Sequence, residues 1–144
     1  MTVENAGIEK RLFDYLVESI NSTPFYQLLD LKITRIGPGF TEFKVVSGER
    51  HTNPLGVIHG GLIMSLADAA MANAIRSLGI KGVTVDCSTS LTAGAMLGED
   101  VIARGEVLKA GNSMLFAEAR VWADDRLLAN AKASFFKTGD YDFA

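Results

Sequence analysis

The run HTNPLGVIHGGLIMSLADAAMANAIRSLG, from His51 to Gly79, decides how the rest of the chain must fold. From Gly60 to Leu78 it is too long for a strand and rich in Ala, Leu and Met, so it reads as a helix. Apolar residues occupy most of its faces, which predicts a helix wrapped by other elements. Gly79 stands where a glycine would end it. In its middle sits Asp68, the single carboxylate between Arg50 and Asp86. Burying a lone carboxylate is costly unless partners offset it. Either Asp68 lies on an exposed stripe with Ser65, Ala72 and Arg76 and pairs with Arg76, or it marks a site.

The flank in front of the helix favours a site. Asn53, Gly56, His59, Gly60 and Gly61 stand directly before or at its start. Glycines at a helix start expose backbone N–H groups, and the helix dipole adds positive potential there, so such an end stabilises an anion, bound or developing. Asp68 follows about two turns further on. One segment thus offers an oxyanion-stabilising terminus and a carboxylate.

Working outward, Ile8 to Ile20 has helical spacing, and Pro24 to Leu29 suits a further short helical turn. Leu31–Ile36 and Phe40–Val46 read as strands joined at Gly37-Pro38-Gly39. After the central helix, Val83–Leu91, Val101–Lys109, Met114–Ala123 and Leu127–Phe136 are strand-like runs separated by turn residues. The expected fold is α+β: an antiparallel sheet of about six strands curled around one long central helix, residues 60–78, with an N-terminal helix at 8–20. Residues 1–144 read as a single domain.

Composition narrows the function. A net charge of −3 argues against a nucleic-acid partner. The N-terminus Met1-Thr2-Val3-Glu4-Asn5 lacks signal-peptide character, and no stretch reads as a membrane span. A single cysteine, Cys87, permits no internal disulfide and suits a cytoplasmic location. Cys87, Met64 and Met71 read as core, Trp122 and Phe116 as sheet packing, and His51 as a loop residue. His51, His59 and Asp68 lack a metal-ligand spacing, so no metal is expected.

NPLGVIHGGLIMSLADAA resembles the signature of the hotdog-fold acyl-CoA thioesterases of the PaaI type. The likeness runs from about residue 25 to 138, through the Gly98-Glu99-Asp100 turn and the Lys109-Ala110-Gly111 hairpin. It implies a hotdog fold and hydrolysis of an acyl or aryl-acyl thioester to free acid and CoA, with coenzyme A as part of the substrate and no other cofactor. It implies homodimers that share active sites, often paired into tetramers as dimers of dimers. By position, the Gly60 N–H would polarise the thioester carbonyl and Asp68 would be general base or nucleophile. Asn53 would hold water or carbonyl, Thr84 would supply a hydroxyl near the carboxylate, and His59 would orient the loop. Asn53 and Gly60 of one subunit would face Asp68 and Thr84 of the other. Gly61, Lys109, Gly111, Asn112 and Ser113 would contact substrate. Relatives often carry a proline and a basic residue where this chain has Ala93-Gly94-Ala95-Met96, and a cation in place of Asn112; only Lys109 remains near the expected phosphates. The alternatives are a non-catalytic acyl-CoA-binding module and a hotdog hydratase or dehydratase.

Overall fold

The computed structural model describes residues 2–143. The order of elements is β1 (Glu4–Asn5), α1 (Lys10–Asn21), α2 (Pro24–Leu29), β2 (Lys32–Gly37), β3 (Phe40–Val46), a 3-10 turn (Glu49–His51), α3 (Gly60–Arg76), β4 (Ile80–Leu91), β5 (Asp100–Ala110), β6 (Met114–Ala123) and β7 (Arg126–Asp140). One sheet holds every strand in the order β1-β2-β3-β5-β6-β7-β4. All pairings are antiparallel except β1 with β2. This is the hotdog arrangement, with seven strands where about six were expected. The extra one, β1, is two residues long and too short for any periodic signal. Among the described residues no helix is long and apolar enough to cross a membrane.

The sheet closes round α3 because its inner face is built from small side chains. Ala103 on β5, Ala117 and Ala119 on β6, and Ala129, Ala131 and Ala133 on β7 are all buried. At Gly105 even a Cβ is excluded: one placed there would lie 2.4 Å from the Ala70 carbonyl carbon and oxygen and 2.6 Å from the Met71 nitrogen. Beside it the buried Thr41 hydroxyl donates to the Ala70 carbonyl at 2.7 Å. These two contacts pin the middle of α3 to β3 and β5. The helix itself buries Leu62, Ile63, Leu66, Met71 and Ile75. It stops at Arg76, two residues before the expected Leu78. The Ser77 hydroxyl there turns back to the Ala74 carbonyl and accepts from the Gly39 N–H, and Gly79 takes φ +79°.

Several expectations about single residues are corrected. Met71 is core, but Met64 is 42% exposed, because it shares a helix face with Gly60 and Asp68. Cys87 is exposed on β4, and Phe116 lies on the outer face of the sheet at 38% exposure. His51 is buried, its Nδ1 accepting from the Gly48 N–H (3.0 Å) and its Nε2 meeting the Leu29 carbonyl (2.8 Å). Those partners fix the tautomer with the proton on Nε2.

Candidate active site

Asp68 faces β4. The Thr84 hydroxyl donates to its Oδ1 at 3.1 Å. Among the described residues Asp68 enters no ion pair, so the Arg76 pairing does not form. Arg76 turns to the Tyr141 hydroxyl, Asn73 Oδ1 and Ser19 Oγ. Without a cation, burial dominates and holds the Asp68 carboxyl above its ordinary value, while the Thr84 hydrogen bond pulls the other way. The charge of Asp68 is felt by its neighbours. Tyr26 is pushed up by burial first, and by Asp68 in part; Cys87 likewise, with Asp86 adding.

The start of α3 resolves which glycine can serve as a donor. His59 is the N-cap residue, and its Nδ1 accepts from the Gly61 N–H at 2.7 Å. That bond leaves Nε2 as the ring N–H of the neutral side chain. The Gly61 N–H is therefore engaged. The Gly60 N–H has no acceptor among the described residues. The loop before it is held by Asn53. Its Oδ1 accepts from the Leu55 and Val57 N–H groups at 2.9 and 3.3 Å, and its backbone exchanges bonds with Val57 and Gly56. The Asn53 Nδ2 has no partner among the described residues and remains a spare donor.

These residues fall into two groups. Asn53, His59, Gly60 and Gly61 sit at the N-terminal end of α3, where Gly60 abuts Leu91 at the far end of β4. Asp68 and Thr84 lie near the other end of that strand. Helical rise alone separates Gly60 from Asp68 by about 12 Å. The Lys109–Ser113 hairpin belongs to the Asp68 end: Met114 pairs with Phe136, and Phe136 with Val83, next to Thr84. In the turn, the Gly111 N–H donates to the Met114 carbonyl and the Ser113 carbonyl accepts from Lys137, while Lys109 and Asn112 are exposed. A single copy does not bring the two groups together.

Arg50 and Ser65 were missed from the sequence. Both line a cavity of about 290 Å³ beside Gly61. Neither carries a sequence signal, because the cavity is assembled from three separate elements, α2, the 3-10 turn and α3, whose packing no local pattern reports.

A long helix inside an antiparallel sheet is the hotdog fold, and the class of protein it defines here is set by the comparisons with known proteins. The family model described as the thioesterase superfamily matches residues 55–130, and the chain belongs to that family. Human acyl-coenzyme A thioesterase 13 is 37% identical over 89 residues, 59% of this chain and 64% of that protein. An inferred esterase of Archaeoglobus fulgidus is 28% identical over 141 residues, 96% of this chain and 89% of that one. Among solved structures, the PaaI protein of the Escherichia coli phenylacetic acid degradation operon superposes with a TM-score of 0.86. The overlap covers 93% of this chain and 98% of PaaI, at 18% identity, so this likeness speaks for the fold alone.

Proposed function

We propose that this chain hydrolyses acyl-CoA thioesters at sites shared between two copies. The observation that carries the reading is the unpaired Gly60 N–H at the start of the same helix that bears the Asp68–Thr84 pair. The name of human acyl-coenzyme A thioesterase 13 supports the substrate class. A thioester carbonyl placed at the Gly60 N–H, on the positive end of the helix dipole, gains a donor for the oxygen that becomes negative. Asp68 of the second copy, ionised, takes a proton from attacking water or attacks the carbonyl itself. Thr84 fixes the carboxylate rotamer, and the Asn53 Nδ2 holds the water or the carbonyl. The leaving group is a thiolate, whose parent thiol has pKa about 8.5, so no strong general acid is required.

The second copy has an open place to join. β4 is the last strand of the sheet and pairs on one side only, with β7. Val83 and Val85 on it are 54% and 60% exposed. Antiparallel pairing of two such edges about a two-fold axis would carry Asp68 of one copy toward Gly60 of the other.

Incubating the purified chain with a panel of acyl-CoAs and a thiol-reactive dye tests the activity. Thiol release supports it; binding without release would make the chain a sensor, and double-bond chemistry a hydratase. Refolding equal amounts of inactive Gly60→Pro and Asp68→Asn chains together tests the sharing. Random two-fold pairing should restore about a quarter of wild-type activity, because half the dimers are mixed and each holds one intact site. No recovery, with mixed dimers confirmed by mass spectrometry, would put both residues in one subunit's site.

A further inference from the structure

Two cavities of about 290 Å³ flank the start of α3. One is walled by Ile58, Ile63, Leu91 and the extended segment 92–95. The other lies between α3, α2 and the 3-10 turn, with Phe25, Leu29 and Leu62 as apolar walls and Ser65 and Arg50 as polar ones. A thioester has two arms. With its carbonyl at Gly60, the acyl arm takes the side with the larger apolar walls, Phe25, Leu29 and Leu62, and the long carrier arm leaves past the segment 92–95. At about 30 Å³ per water-sized unit, the cavity beside α2 holds an acyl group of about ten non-hydrogen atoms.

Arg50 is an unusual wall for a purely apolar acyl chain. Its backbone is held rigidly, because the buried ring of His51 next to it spans the Gly48 N–H and the Leu29 carbonyl. Its guanidinium has one ion-pair partner among the described residues, Asp30, at a long 3.6 Å. Asp30 is itself shared with Lys32 at 3.2 Å. Glu49, the neighbouring acid, enters no ion pair among the described residues. With Asp30 shared between two cations, the Arg50 guanidinium keeps a planar fork of free donors beside the cavity.

We infer that the cavity beside α2 receives the acyl group and that Arg50 binds an anionic group at its rim, so the favoured substrates are short acyl-CoAs ending in a carboxylate. This rests on the thioesterase reading above. The test compares kcat/KM for matched pairs: succinyl- against butanoyl-CoA, glutaryl- against pentanoyl-CoA and adipyl- against hexanoyl-CoA. In the wild-type chain the carboxylated member should be favoured for at least one length. Arg50→Ala should cut kcat/KM for that substrate by ~10–100-fold, the size expected for a hydrogen bond to a charged group, and leave its apolar partner unchanged. Arg50→Lys should recover part of the loss. Hydrolysis of the apolar members without any preference for the carboxylated ones overturns this inference alone. An equal loss for both members in Arg50→Ala also overturns it, and would put Arg50 on the phosphates of the carrier. No thiol release from any acyl-CoA would take down the thioesterase reading and this inference with it.

Discussion

The Thr84 hydroxyl on β4 donates to the Asp68 carboxylate on α3 across 3.1 Å, and it is the hydrogen bond that opposes the burial of that carboxylate. The two effects push in opposite directions, burial raising the pKa and Thr84 lowering it. Activity that needs ionised Asp68 should rise with pH through its elevated pKa. In Thr84→Val the lowering bond is gone, so the acid limb of the kcat/KM profile should move to higher pH. A limb that stays in place, or moves down, would show that Asp68 is not the group being titrated.

Asp68→Asn should cost about 10²–10⁴-fold in kcat, the usual worth of a positioned base. Its effect on stability has the opposite sign. Because the folded-state pKa of Asp68 is raised, its ionised form weakens the fold, and that cost is fully present above the folded-state pKa. It fades as pH falls and vanishes below the ordinary carboxylate range. The variant should therefore melt at or above the wild-type temperature at neutral pH, with the difference lost in acid. A lower melting temperature at neutral pH would mean that Asp68 makes a stabilising contact.

Gly60 is the first residue of α3, and His59 before it has φ −65° and ψ 133°, a conformation that a following proline accepts. Gly60→Pro therefore removes the N–H with little harm to the helix. Gly60→Ala keeps the N–H and brings a similar Cβ, which would meet the flexible ends of the Leu91 and Met64 side chains at 2.7 and 3.7 Å. The rate difference between these two variants isolates the donor, and should be about 10²–10³-fold. Equal rates would remove Gly60 from the oxyanion role.

Gly105 tests the fold rather than the chemistry. An alanine there drives its methyl into the backbone of Ala70 and Met71, where no rotamer change can relieve it. The expected loss is about 1–3 kcal/mol in chemical denaturation, with α3 displaced from β5. An unchanged midpoint would mean that the helix can slide.

What the sequence disclosed follows from how local each signal is. The Ala, Leu and Met run and its flanking glycines marked α3 because helix propensity and termination are local. Asp68 stood out because nothing else in its segment is acidic. Gly105 gave no sign, since a glycine inside a strand looks the same whether it faces solvent or a helix backbone. Thr84 is one hydroxyl among several on β4 and entered through the family resemblance alone. The edge position of β4 was also hidden. β4 precedes β5 in the chain, yet it docks outside β7, and no periodicity reports a pairing between residues so far apart.

That edge position leads to a register. A two-fold axis perpendicular to the sheet keeps each side chain on its own face, so a β4 residue at the axis must face its own copy. Gly60 lies level with Leu91 and Asp68 with Thr84, and these pair with Ala129 and Phe135 of β7. Midway between those partners is Lys132, which pairs with Ser88. The axis then passes Ser88, and Cys87 faces Thr89 of the second copy. Axis-related residues have Cα atoms about 4.5–5.5 Å apart, within reach of a disulfide. In Cys87→Ser/Ser88→Cys, mild oxidation should give covalent dimers that still release thiol from acyl-CoA. The wild-type Cys87 pair is offset by two residues, about 8 Å between Cα atoms, and should not bridge. Cross-linking through Cys87 in place of residue 88 would move the axis by one residue. Cross-linking at neither position would remove the β4 edge as the place where the shared site is assembled.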